Sequence, residues 1–122
     1  HDFVPLEDLD KSLSVASVAL ISLREGLSGI AVPCKLYGIL SSGRPVLAQV
    51  PANSEVALTI NQHDCGIVIP PGDVDQLVNS ILSLASDEEA VINMGLNSLE
   101  AYNRHYNLKS ACATFDEIVK DL

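Results

Sequence analysis

The sequence predicts an α/β domain, an open sheet of parallel strands with helices between them. Three observations carry that expectation. Short apolar runs alternate with longer segments of helical apolar spacing, the pattern of successive β-α-β units. Glycine and proline punctuate the borders, as in Gly43-Arg44-Pro45 and Pro70-Pro71-Gly72, where a helix must stop or a chain must turn. No linker-like stretch and no internal repeat divides the 122 residues, so 1–122 reads as a single domain around one core.

Each element has its own signal. Residues 1–5 run into a turn at Pro5, and Leu6, Leu9, Leu13 and Ala16 have the spacing of an amphipathic helix over 6–16. Val18 to Leu23 is a compact apolar run, which predicts a strand buried on both faces. A glycine-containing loop follows from Arg24 to Gly29. Pro33 suits the first turn of a helix that runs to about Ser42, with Gly43 as its C-terminal cap. Pro45 to Val50 predicts the second strand. A helix from Asn53 or Ser54 to about Gln62 and a third strand, Gly66 to Ile69, come next.

The remainder reads as helical. Asp73 with Gln76, and Ser86 with Glu89, have the spacing of capping boxes. Val74, Leu77, Val78, Ile81, Leu82 and Ala85 form one apolar stripe. Leu108, Ala111, Cys112, Phe115, Ile118, Val119 and Leu122 form another.

Composition narrows the function. Hydrophobic residues make up 48% and charged residues 19%, a globular balance. No apolar run approaches the roughly 20 residues that span a bilayer, and no basic segment followed by an apolar stretch marks a signal peptide. The 16 acidic and 7 basic residues give a formal net charge of −9, which repels phosphate backbones and argues against nucleic-acid partners. A phosphate ligand must then be held by a local device, such as a helix N-terminus with one lysine. Cys34, Cys65 and Cys112 form no CxxC pair, so free thiols in a reducing, cytoplasmic compartment are expected and a zinc site is not. The chain begins at His1 rather than Met, which suggests a piece of a longer protein.

Several motifs, taken together and in order, resemble a known family. Gly43-Arg44-Pro45-Val46, Ser54-Glu55-Val56 and Gly66-Ile67-Val68-Ile69-Pro70-Pro71-Gly72-Asp73 follow the order and spacing seen in family 4 GT-B glycosyltransferases. There they mark the C-terminal, nucleotide-sugar-binding, Rossmann-like domain, a three-layer parallel sheet. Ser86-Asp87-Glu88-Glu89 through Met94-Gly95, Asn97 and Tyr106 resemble the same family's closing helices. Val32-Pro33-Cys34-Lys35-Leu36-Tyr37 is similar to a helix start in the branch that builds bacterial surface polysaccharides. The resemblance covers the chain from about Val4 onward.

It implies a retaining transfer of a sugar from a nucleotide diphosphate sugar to a glycan or lipid-linked acceptor. That reaction needs neither a metal nor another cofactor if protein donors neutralise the leaving diphosphate. Ligands of open α/β sheets sit beyond the C-terminal ends of the strands. Backbone N–H groups from about Ser28 to Lys35, with Ser28-Gly29 as cradle and Lys35 as mobile charge, are therefore the expected diphosphate site. Each also has a plain alternative: Ser28-Gly29 as a flexible loop, Lys35 as an exposed helix lysine. Glu25 is the candidate sugar-side carboxylate, or a solvated loop charge. Glu55 is a further donor-side candidate, or an acidic residue favoured by the helix dipole. His63, His105 and Cys34 read as surface, dipole-pairing or packing residues.

Two departures from the family pattern stand out. The family's helix carries a spaced pair of glutamates, and Gly38 occupies the position of the second. The family's first two strands of this domain, and its N-terminal acceptor domain, have no counterpart in the chain. The expectation is thus the donor-binding part of a transferase, inactive as an isolated fragment, from a protein that is cytoplasmic or peripheral to the inner face of the membrane. The alternative is a non-catalytic interaction or regulatory module that retains the fold. A flavodoxin-like receiver is disfavoured, because Glu7, Asp8 and Asp10 fall on a predicted helix rather than at strand ends. Without preceding strands, the first strand would present an open edge on which a second copy of the chain could pair.

Overall fold

The computed structural model describes residues 5–8, 16–24 and 35–121. The helix predicted over 6–16 falls mostly outside them. Within them there is a single 3-10 turn, Leu6–Asp8, closed by the Asp8 N–H donating to the Pro5 carbonyl at 2.9 Å, and Ala16 is not helical.

The described elements are β1 (Ala19–Ser22), α1 (Lys35–Ser41), β2 (Val46–Gln49), α2 (Glu55–His63), β3 (Gly66–Ile69), α3 (Val74–Ser86), α4 (Glu88–Ala101), a π-helical turn (Tyr102–Tyr106) and α5 (Leu108–Lys120). The three strands pair in parallel in the order β1-β2-β3, with Ala19 level with Val46 and Val46 level with Gly66. Backbone bonds extend the ladder at both ends, Ala19 N to Pro45 O and Val50 N to Ile69 O, each at 3.0 Å. The predicted parallel α/β sheet is therefore present, small and of three strands.

Alternation of side chains along the strands assigns the two faces. Ile21, Val46, Ala48 and Val50 meet Leu36, Ile39 and Leu40 of α1 and Val56, Ala57 and Ile60 of α2 in one buried cluster. Leu47 points to the opposite face, where Ile81, Leu84 and Ala85 of α3 and Val91 of α4 line a groove of about 330 Å³ with it. Helices thus cover both faces, an arrangement compatible with a Rossmann-like fragment.

One expectation about β1 is overturned. The run from Val18 to Leu23 is not buried on both faces: Ile21 is buried, but Leu20 is 59% exposed. Among the described strands β1 is an edge, and apolar composition records the preference of Leu20 without supplying a neighbour to cover it.

The helix ends follow local chemistry. Ser54 caps α2, its hydroxyl accepting from the Ala57 N–H at 3.2 Å, and Asp64 closes α2 in the left-handed region at φ 52°. Asp73 caps α3 by accepting from Gln76 N at 3.0 Å, as its spacing predicted. The cap predicted at Ser86 is displaced by one residue. Helix α3 continues through Ser86, whose hydroxyl bonds back to the Leu82 and Ser83 carbonyls, and Asp87 caps α4 by accepting from Ala90 N at 3.0 Å. Asp87→Ala is expected to cost about 1 kcal/mol in urea denaturation, whereas Ser86→Ala should change stability little.

Helix α4 crosses beneath the sheet at the N-terminal ends of β2 and β3. Gly43 takes a φ of 68° and turns its carbonyl toward Gly95 of α4, where a Cβ would lie 2.5 Å from that oxygen. The buried Ser98 hydroxyl donates to the Arg44 carbonyl at 2.7 Å, and Asn97 Nδ2 donates to Asp64 O at 2.9 Å. The apolar stripes predicted for α3 and α5 do lie on helices, yet most of each is open: Val74, Val78, Ile81 and Leu82 on α3, and Leu108, Phe115, Ile118 and Val119 on α5, are exposed. No described helix is long and apolar enough to cross a membrane.

Candidate functional site

Parallel pairing puts the C-terminal ends of all three strands on one edge of the sheet. β1 leaves through Leu23 and Arg24, β2 through Val50 to Ser54, and β3 through Pro70 to Asp73. The same edge receives the starts of α1, α2 and α3, because each helix follows a strand. Lys35 opens the described part of α1 and Glu55 the first turn of α2, both exposed; Gly38 lies one turn into α1 and is partly buried. Glu25, Ser28 and Gly29 lie outside the described residues.

Two basic side chains stand at this edge, Arg24 at the exit of β1 and Lys35 at the start of α1. The other described basic residues are elsewhere: Arg44 precedes β2, Arg104 lies in the π-helical turn, and Lys109 and Lys120 lie on α5. In a chain of net charge −9, these two cations flank one strand-to-helix connection, on an edge that also carries Glu55 and Asp73. Sequence reasoning singled out Lys35 and treated Arg24 as the start of a loop; its position one step past an apolar strand is the signal that identifies it.

The loops after β2 and β3 enclose a pocket of about 550 Å³ at the same edge. Val50, Pro51, Pro70 and Pro71 form its apolar wall, and Asn61 and Gln76 supply polar side chains. Neither Lys35 nor Glu55 lines it. Asn61 and Gln76 carried no functional signal in the sequence.

Cys65, between α2 and β3, is fully buried, and burial pushes its thiol pKa up. That makes it a packing residue rather than a nucleophile. Cys65 and the exposed Cys112 are free thiols, and Cys34 lies outside the described residues. No cluster of three or more His, Cys, Asp or Glu side chains suited to a metal ion occurs among the described residues.

A second polar cluster lies at the opposite end of the sheet. Gln62 and His63 of α2, Asn97 and Glu100 of α4, and Arg104 and His105 line a cavity of about 220 Å³. His63 Nε2 is 3.1 Å from the Tyr106 hydroxyl, and the His63 and His105 ring centroids are 5.2 Å apart. The sequence showed each histidine only as an isolated residue near a helix end.

In class, then, the chain is a small parallel α/β sheet with a charged, ligand-sized edge. Its sequence is similar to the probable glycosyltransferase WbjE of Pseudomonas aeruginosa, at 31% identity over 84 residues that cover 66% of this chain and 21% of that protein. The match supports a relationship to glycosyltransferases, and the matched region spans about a fifth of the relative's length. No protein-family model matches the chain, and no solved structure matches it.

Proposed function

We propose that the chain is the donor-binding part of a family 4 GT-B glycosyltransferase, a single C-terminal domain that holds a nucleotide diphosphate sugar. The observation that carries this reading is the placement of Arg24 and Lys35 on either side of the connection that leaves β1. In this reading they neutralise the diphosphate together with backbone N–H groups of the Ser28-Gly29 loop, and the pocket walled by Pro51 and Pro70 receives the base or ribose. Glu25 and Glu55 are the donor-side carboxylates, with Glu25 nearer the sugar. Sugar transfer to a glycan or lipid-linked acceptor takes place against an N-terminal domain of the same protein, in the cytoplasm or at the inner face of its membrane. Alone, the fragment binds donor without turnover.

The charges do the work expected of a site that stabilises a leaving diphosphate without a metal. A guanidinium gives paired N–H donors in a fixed plane, and an ammonium gives a mobile point charge. Both act more strongly once a bound donor excludes water from the edge.

Titration of the labelled chain with UDP or GDP tests the reading. Shifts are expected at Arg24, Lys35 and the amides of Val50 and Ala52 to Ser54, and Lys35→Ala should weaken binding about tenfold, the loss of one charge-assisted contact. Absence of shifts at millimolar nucleotide would defeat the donor-site assignment. It would favour a non-catalytic module instead, the reading that Gly38 in place of the family's glutamate supports. In that reading the edge that β1 forms among the described strands is the surface on which such a module, or the isolated fragment, pairs with a second copy.

A further inference from the structure

The turn Tyr102–Tyr106 is π-helical and sits between α4 and α5, a geometry that re-aims side chains within a helical run. It carries His105 and Tyr106 toward α2. The Tyr106 ring stands edge-on to His63 at 5.7 Å and is tilted against Tyr37 of α1 at 5.3 Å, while Tyr102 and Tyr106 pack on the core cluster. Helix α5, by contrast, buries no residue. Its start is tied to the turn. Asn107 accepts from Ser110 N at 2.8 Å, and the Ser110 hydroxyl donates to the Arg104 carbonyl at 3.1 Å. Where α5 lies is therefore decided by how the turn docks.

We propose that this turn is a proton-operated hinge: charging both imidazoles of the His63–His105 pair undocks it from α2 and releases α5. The groups around the pair set the balance. Asp64 follows His63 at the end of α2, Glu100 comes from α4, Tyr37 from α1, and Tyr102, Arg104 and Tyr106 from the turn itself. Glu100 is engaged by Arg104 at 3.0 Å in a solvent-exposed pair. The C-terminal end of α2 lies here and favours one positive charge. A first proton is accommodated, because the Tyr106 hydroxyl can rotate to accept from a protonated Nε2. A second proton meets a like charge across a 5.2 Å ring separation.

The sign follows from linkage. Burial, and then His105, hold the His63 pKa below its ordinary value, which is near 6.5 in a free chain. Between those two values the undocked state binds more protons than the docked one. Docking is therefore strongest above the free value, weakens as pH falls through the window, and changes little below it.

Hydrogen exchange of the whole chain at several pH values, expressed as protection factors, tests the hinge alongside NMR titration of the two imidazoles. As pH falls from about 7.5 to about 5 the α5 amides should lose protection. The amides of Val46 and Ile60 should keep theirs. His105→Gln removes the like charge and leaves only burial acting on His63, so it should reduce the loss of α5 protection at the lower pH. The hinge is overturned if α5 is unprotected throughout, if its protection tracks that of the sheet, or if His105→Gln leaves the loss undiminished.

Discussion

Replacing Gly66 with alanine is expected to destabilise the chain by about 3 kcal/mol, the upper end of ordinary overpacking costs. Gly66 opens β3 and lies level with Val46 of β2. A Cβ at Gly66 would stand 2.0 Å from the Val46 carbonyl oxygen and 2.8 Å from its carbon. The obstacle is backbone, so no rotamer change relieves it. Nor can β2 retreat, since it is the central strand and is hydrogen-bonded on both sides. Urea denaturation followed by circular dichroism measures the loss. A change below about 1 kcal/mol would mean that β3 can slide relative to β2, and the pairing of Gly66 with Val46 would be wrong.

The second large effect is expected at Leu40. This side chain is fully buried and, with Leu36 and Ile39, anchors α1 to the face of the sheet that carries Ile21, Val46 and Ala48. Leu40→Ala should cost about 3 kcal/mol, the sum of lost transfer energy and an unfilled cavity. Under the proposed donor-binding reading the consequence extends to nucleotide binding, because α1 also carries Lys35. The variant should lose nucleotide affinity through misplacement of that helix even under conditions where it remains folded. Leu82→Ala is the matched control. Leu82 is 63% exposed on α3, and its truncation should move the urea midpoint by little. Equal losses at Leu40 and Leu82 would contradict the assignment of buried and open faces.

The elements that could be read from sequence were those bounded by residues with one structural use. Gly66 and Pro70 bracket β3, and Ser54 with its hydroxyl acceptor starts α2, so both elements fall close to where local chemistry places them. The boundary between α3 and α4 was harder. Ser86 and Asp87 are adjacent and each can cap a helix, and the choice depends on whether the last turn of α3 unwinds before or after Ser86. In the structure the last turn of α3 runs through Ser86 and Asp87 caps α4.

Burial was the least legible property. Helical spacing in α3 and α5 revealed an apolar face without saying what stands opposite, and the apolar run of β1 revealed a strand without its position in the sheet. Of the candidate site, Lys35 and Glu55 were singled out because they open helices that follow strands, and the structure places both at those helix starts. Arg24 was passed over because a charge after a strand looks like any loop charge. The His63–His105 pair was invisible, since it joins residues far apart in the chain through a π-helical turn that the segment Tyr-Asn-Arg-His-Tyr does not announce.

The strand order has a topological consequence for where a ligand crevice can form. In open parallel sheets that crevice lies at the switch point, where successive crossovers begin to advance in opposite directions. From β1 to β2 to β3 the crossovers advance one way, and α1 and α2 accordingly share a face, as the right-handed rule requires. No reversal occurs among the described strands. A strand outward of β1 creates that reversal only if the chain moves away from this border before returning to β1, because a strand directly preceding β1 in the chain would extend the same advance. With that reversal, the cations at Arg24 and Lys35 would flank the mouth of the crevice rather than an outer rim of the sheet.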